Sequence, residues 1–474
     1  MALAGLECRT ALEQAGNRTL LINDQGRSLT ADVLLGDVER AAGRLVKEGL
    51  AGRRVGLWSW NAPEAIEAHL AVEWAAATRV PVDPSAPADE AARVFAAAGV
   101  DAVIVDREHA DVLDVDVLVH SEGELLDGPP LSEPVEVDPE ETLLLYPRMA
   151  TREELFGVPI SYANWRAVIA HNNELFRSGF YGPWAGEEES FITVQQLMHG
   201  TGMMGSFSFL EMGLPQVVLE QFDAESALEA AARHGSTTSF MVPGMVTRLA
   251  EASASGGSAT GLRRILYGGA PFAQSEMRRA QSVLGPILVQ VYGRFEGGWP
   301  ISALGIDEHV RVLEGDDALG TSCGRPVPGV EVRLRPADGL LPDQAELCVR
   351  SPMVVSEVAD PDGWLGLGDL ARADEAGYLY LEGRLDGMIN TGSYHVYPGE
   401  VQEAIAAIPG VAQTLVRGEP HPRWGQAVTA YVVPESPTGG GALVARVSEE
   451  LPKRLAPYKI PKTVRVVERL PESS

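Results

Sequence analysis

The residues best placed to carry chemistry lie in the last third of the chain. Gly366-Leu367-Gly368 runs directly into Asp369. An acid after two glycines sits on a tight turn, where its carboxylate can accept from paired hydroxyls, as in ribose recognition. Arg384 follows some fifteen residues later, and its planar guanidinium could donate to the same sugar or to a phosphate. Gly392-Ser393 marks a turn or a close backbone approach between strands. Pro398 suits the first turn of a helix. The cysteines, Cys8, Cys323 and Cys348, are odd in number and not closely paired. They make no disulfide framework and no zinc spacing, and each is expected to be a small buried hydrophobe.

These groups need a scaffold, and the hydrophobic pattern supplies one. Helical spacing over Leu34–Leu50, Glu64–Ala76 and Ala88–Ala98 alternates with strand-like runs at Arg54–Trp58, Val80–Val82 and Ala102–Val105. The rhythm returns downstream with Gln216–Leu219, the helical stretch Ala224–His234 and Ser239–Val242. Alternation of this kind predicts a parallel sheet covered by helices. A strand and turn region runs from about Gly329 to Tyr380. A compact unit follows from Gly387, with helices over Gly399–Ala407 and Ala442–Leu455, strands at Thr414–Val416 and Ala427–Val433, and a surface loop over Pro434–Gly441.

Composition narrows the function. The 474 residues include 66 acids and 38 Lys plus Arg, a net charge of −28. That balance argues against nucleic acid and against an anionic membrane surface. It leaves a phosphorylated small molecule open, because a local pocket can oppose the global charge. The N-terminus has no basic region of a signal peptide, and no apolar run is long enough to span a bilayer. A soluble, cytoplasmic protein is expected. There are four lysines, Lys47, Lys453, Lys459 and Lys462, so no mechanism can draw on a lysine between residues 48 and 452. Lys453, Arg454, Lys459 and Lys462 read as a basic cluster, either facing the phosphates of a ligand or simply solvated.

Taken in order, Gly363 to Leu370, Gly377 to Arg384 and Leu385 to Val401 resemble the C-terminal half of the adenylate-forming superfamily, which includes acyl-CoA synthetases, adenylation domains and luciferases. Upstream, Leu197-Met198-His199-Gly200 resembles the segment beside the family's acyl pocket, and Val242-Pro243-Gly244-Met245 its Val-Pro-x-Met wall. Gly268-Gly269-Ala270-Pro271 resembles the turn along adenine. Tyr292-Gly293-Arg294-Phe295-Glu296 resembles Tyr-Gly-x-Thr-Glu, whose threonine contacts the α-phosphate and whose glutamate binds magnesium. The resemblance implies an α/β fold: a large N-terminal domain of stacked α/β subdomains plus a β-barrel-like part (residues 1–385), with a small mobile α+β C-terminal domain (386–474). It implies a hinge near Asp386, about which the small domain swings between acyl-adenylate formation and thiol transfer. It places Gly268, Gly269, Ala270, Pro271, Tyr292, Gly293, Glu296, Asp369 and Arg384 on the nucleotide. It places Gly392, Tyr394, His395 and His199 near the thiol path.

The chain departs from the family at its phosphate loop. Where the family has Tyr-Thr-Ser-Gly-Thr-Thr-Gly-x-Pro-Lys-Gly, this chain has Tyr146-Pro147-Arg148-Met149-Ala150-Thr151-Arg152-Glu153-Glu154-Leu155-Phe156-Gly157. The lysine and most glycines that cradle β- and γ-phosphates are gone. Glu153 and Glu154 would repel a triphosphate, and Pro147 deletes a backbone donor. Phe295 replaces the threonine, and Leu470-Pro471 is not followed by the family's terminal lysine.

Groups for a nucleoside monophosphate and for the thiol step survive. The expectation is a non-adenylating acyl-CoA ligase, similar to those of terpenoid-acid natural-product biosynthesis. It would take a preformed acyl-adenylate from a separate adenylating ligase and use CoA as co-substrate, without Mg-ATP or any resident metal. An ordinary two-step ligase, a non-catalytic partner subunit, and transfer to an amine or carrier-protein thiol are the alternatives. Phe191, Met198, Met203, Met204, Phe207, Met241 and Phe295 line either an apolar acyl pocket or plain core.

Overall fold

The computed structural model describes residues 2–113, 118–149, 155–235, 237–270, 272–336, 345–385, 388–392, 394–434, 440–467 and 469–470. Among them, two α/β layers form the first part of the chain. In one, strands Arg54–Trp58, Thr78–Pro81, Ala102–Val105 and Leu118–Ser121 run parallel, extended at one side by the antiparallel pair Thr142–Met149 and Leu155–Ser161. In the other, Thr19–Asn23, Gln216–Val218, Ser190–Thr193, Thr237–Met241, Leu262–Tyr267 and Leu288–Arg294 pair parallel. Gly298–Leu304 then returns antiparallel. Continuous apolar strands of this kind need both faces covered by helices.

Local sequence explains the helix boundaries. Ser161 and Asn164 make a reciprocal capping box at Tyr162–Arg177, and Thr30 and Asp223 cap Ala31–Lys47 and Ala224–His234. Such side chains satisfy amide donors that have no partner within the helix. Pro63, Pro243 and Pro398 open their helices, where a missing N–H costs nothing.

Several element bounds shift, among them the expected loop over Pro434–Gly441, whose ends belong to strand Gly425–Pro434 and helix Gly440–Glu450 and whose residues 435–439 lie outside the described residues. The helix expected to reach Ala76 stops at Trp74, and Ala76 turns to a positive φ of 53°. The helix read from Leu34 begins at Ala31 and ends at Lys47. The last helix covers Gly440–Glu450 and tightens over Leu451–Lys453, because Pro452 has no N–H to continue it. Strand Thr414–Val416 is the middle of the longer Val411–His421.

The region read as barrel-like is a four-stranded antiparallel meander, Glu331–Arg335, Ala345–Arg350, Leu365–Ala373 and Leu379–Arg384. A bridge between Gly324 and Leu379 ties it to the preceding layer. Strand Ile389–Thr391 then begins a separate sheet with Tyr394–Val396, Gly425–Pro434, Val411–His421 and Thr463–Val466. That last unit has its own apolar core, which includes Ile389, Val401, Ile405, Val428, Val447 and Leu455. Asp386, the expected hinge, lies outside the described residues. The three cysteines are free and buried. Among the described residues, no helix is long and apolar enough to cross a membrane.

Candidate active site

Strand register assembles the first cluster. Asp369 and Arg384 are direct partners across antiparallel strands, and Arg384 Nη1 donates to Asp369 Oδ1 at 2.7 Å. Tyr292, from Leu288–Arg294, donates its hydroxyl to Asp369 Oδ2 at 2.6 Å. Burial, and then the Asp369 charge, push the Tyr292 hydroxyl well above its ordinary pKa, so it stays a donor. Three residues assigned separately to the nucleotide thus form one hydrogen-bonded set, and a ribose would have to share Asp369 with these donors.

The Gly268-Gly269 turn follows strand Leu262–Tyr267. A Cβ on Gly268 would stand 2.1 Å from the Val291 carbonyl oxygen, so packing alone requires glycine there. Beneath the turn, His309 donates from Nδ1 to the Gly305 carbonyl at 2.6 Å. Its Nε2 accepts from the Tyr267 hydroxyl at 2.9 Å. Burial pulls the His309 pKa down to about 4, so the imidazole is neutral and rigidly held. Gly268, Gly269 and Gly293 line the main cavity, whereas Ala270 lines a second opening. Pro271 lies outside the described residues.

Arg294 takes an unexpected part. Its Nη2 pairs with Glu296 Oε1 at 3.0 Å and its Nη1 with Asp369 Oδ2 at 3.6 Å. Only 7% of the residue is exposed, although arginine is almost never this buried unless paired. Burial opposes its charge, but Glu296 and Asp369 outweigh burial and hold the guanidinium more firmly protonated than usual. The carboxylate that the family would give to magnesium therefore already carries a cation. Among the described residues, no group of three or more His, Cys, Asp or Glu is placed to hold a metal. The residues around Glu296 do not fit a divalent ion.

The described flanks of the phosphate-loop position, Thr142–Met149 and Leu155–Ser161, are paired strands. Pro147 faces Gly157, and Tyr146 faces Val158, in a regular antiparallel ladder. Tyr146 stacks on Phe295 with ring centroids 4.2 Å apart and planes at 19°. Phe295 also closes on helix Gly200–Glu211, since a Cβ on Gly200 would meet its ring at 2.6 Å. An aromatic plug stands where the family's threonine hydroxyl would be. Ala150, Thr151, Arg152, Glu153 and Glu154 lie outside the described residues.

The side expected to receive the thiol is built on His199, the N-cap of that helix. Burial lowers its pKa against the pull of Asp83, and its buried Nε2 has no hydrogen-bond partner among the described residues. It is a neutral imidazole with one nitrogen to spare. Tyr394 stands edge-on to it and stacks on Tyr458. His395 lines the same cavity from strand Tyr394–Val396. Gly392 takes a φ of 66° and donates its N–H to the Trp424 carbonyl at 2.9 Å. With Thr391, Arg423, Trp424 and Lys462 it lines the second opening, which reaches Tyr394 and Tyr458 from the other side.

The basic cluster expected near the C-terminus does not form as one surface. Lys459 is 7% exposed and pairs with Glu90 at 2.5 Å and Glu400 at 2.8 Å. Lys453 and Arg454 pair with Glu450, and Lys462 donates to the Pro457 carbonyl. Of the apolar candidates, Met198, Met204, Met241 and Phe295 line the main cavity, while Phe191, Met203 and Phe207 are core. Sequence reasoning passed over Arg294, Glu90 and Tyr458. An arginine ending an apolar strand was a signal for the first; nothing local pointed to Glu90.

The AMP-binding enzyme family matches residues 8–150 and 157–357, and the AMP-binding enzyme C-terminal domain matches 400–474. Medium/long-chain-fatty-acid–CoA ligase FadD8 of Mycobacterium tuberculosis is 32% identical over 55% of this chain and 48% of its own length. The chain spans about half to three-fifths of the curated relatives it matches first. Feruloyl-CoA synthase of Amycolatopsis sp is 30% identical over 94% of this chain and 91% of that protein. The amide bond synthetase McbA of Marinactinospora thermotolerans superposes with a TM-score of 0.84 at 30% identity, covering 98% and 96% of the two chains. The chain belongs to the AMP-binding enzyme family and is an acyl-CoA-synthetase-like member of the adenylate-forming superfamily.

Proposed function

We propose that this protein transfers the acyl group of a preformed acyl-adenylate to the thiol of CoA, in natural-product biosynthesis, and leaves adenylation to a separate ligase. One contrast within a single cavity carries the reading. On the side where a triphosphate needs backbone donors, Tyr146 and Phe295 stack and Pro147 sits in a strand ladder. On the thiol side, Tyr394 and His395 line the cavity with His199. In the transfer, the CoA sulfur attacks the acyl carbonyl and the carbonyl–phosphate oxygen bond breaks. AMP leaves with that electron pair, and the thiol proton passes to a base. Neutral His199, whose Nε2 has no partner among the described residues, is suited to accept it. Because the acyl phosphate is already activated, the protein contributes mainly positioning.

The test is a panel of synthetic acyl-adenylates with CoA, ATP absent. Thioester and AMP in equal amounts are expected. Robust pyrophosphate release from free acid, ATP and magnesium would overturn the reading in favour of an ordinary CoA ligase, the kind of enzyme its curated relatives are named for. The likeness to an amide bond synthetase supports a second reading, transfer to an amine, so the panel includes amine acceptors. No product with any acceptor, from folded protein, would indicate a non-catalytic partner subunit.

A further inference from the structure

We infer that Arg294 is the resident cation of the nucleotide-phosphate site: its guanidinium stands on Glu296 in place of a divalent ion, and the site takes a nucleoside monophosphate group with no metal. This deepens the acyl-adenylate reading above, on which it rests for its biological substrate. The geometry has four parts. Arg294 lines the main cavity beside Gly268, Gly269, Gly293 and Phe295. It bridges Glu296 and Asp369, at 3.0 Å and 3.6 Å. Its side chain is buried, and Nε has no hydrogen-bond partner among the described residues. A buried N–H of a charged group is costly to leave unmade, and a phosphate oxygen would satisfy it.

Charge counting agrees. Arg294 and Arg384 balance Glu296 and Asp369, so the cluster is neutral before a ligand arrives. The ester phosphate of an acyl-adenylate carries one negative charge, which a guanidinium can receive as a planar donor. Magnesium demands near-octahedral oxygen ligands and keeps several waters. At Glu296 it would have to displace the guanidinium or sit beside it, cation against cation. A triphosphate brings more negative charge than this neutral set can meet. One arginine thus bears on both metal use and nucleotide choice.

The bland competitor is an Arg294 that only neutralises two buried acids. Calorimetric titration of the full chain with 5′-AMP and with adenosine, in EDTA and in magnesium, separates the two. AMP affinity is expected to be equal, within about twofold, with and without magnesium. Arg294→Gln should weaken AMP by about tenfold or more while leaving adenosine unchanged, and Arg294→Lys should recover part of the loss. Glu296→Gln should hold or tighten AMP, because it releases the guanidinium.

Magnesium-dependent AMP binding, an unchanged Arg294→Gln, equal losses for AMP and adenosine, or no AMP binding at all would each overturn the inference. Should Arg294→Gln not fold, Glu296→Gln decides, since loss of AMP binding there would assign the phosphate to a metal on Glu296. These titrations need no turnover. A pyrophosphate signal would sink the proposed function and leave the metal question answered independently.

Discussion

Tyr394 stands edge-on to His199, with ring centroids 4.8 Å apart and planes at 76°. Its other face stacks on Tyr458 at 4.0 Å. Residues nearly two hundred positions apart thus form one aromatic wall between the main cavity and the second opening. Each such pair contributes about 0.5–1.5 kcal/mol beyond area burial. Tyr394→Ala is therefore expected to slow thioester formation from acyl-adenylate by about tenfold, with AMP affinity unchanged. Tyr394→Phe keeps the ring and should retain the rate.

Lys459 ties Glu90 of the first α/β layer to Glu400 of helix Pro398–Ala406, deep in protein. Removing the lysine leaves two buried carboxylates. Lys459→Met should cost about 3–5 kcal/mol in denaturant unfolding. Burial pushes the Glu400 pKa up even with the lysine present. The defect should therefore shrink as pH falls and Glu400 protonates. Lys459→Met with Glu90→Gln and Glu400→Gln should recover most of the stability.

His309 supplies a pH signature. Its folded pKa of about 4 lies below the ordinary histidine value of about 6.5. Between those values the unfolded chain binds a proton that the folded chain refuses. Stability is therefore full above about pH 6.5 and falls by up to about 3 kcal/mol as pH drops towards 4. His309→Gln should flatten that part of the profile, measured by urea midpoints across pH.

Phe295→Thr puts back the hydroxyl found at the family's position. Pyrophosphate release should stay at background, because the ladder through Pro147 and Gly157 still offers no cradle of backbone donors. The lost stack on Tyr146 should lower stability by about 2 kcal/mol.

Much was legible without coordinates. Apolar spacing alone marks the helices Ala88–Ala98 and Ala224–His234, and the structure places them there, with Pro87 and Gly99, and Asp223 and Gly235, at their ends. Turn and cap chemistry is local, so adjacent residues suffice to read it. Helix ends governed by packing were less legible: Trp74, fully buried, ends its helix two residues before the apolar pattern does. The acid and arginine at 369 and 384 were visible as a pair, yet their direct facing depends on strand register.

The chain by itself determined which chemistry has parts. Its ordered motifs place it in a family, and its four lysines leave none for a phosphate loop in the first 452 residues beyond Lys47. These are facts of residue type and order, which folding cannot alter. Only the tertiary structure decided how those parts are engaged. Lys459 is committed to Glu90, 369 positions away. Arg294 is committed to Glu296 and Asp369, and Phe295 to Tyr146. Apart from Arg294–Glu296, two residues apart in one turn, these pairings span separate elements. Their energy comes from charges and rings brought out of water together, and only the docking of one layer on another sets which groups meet there.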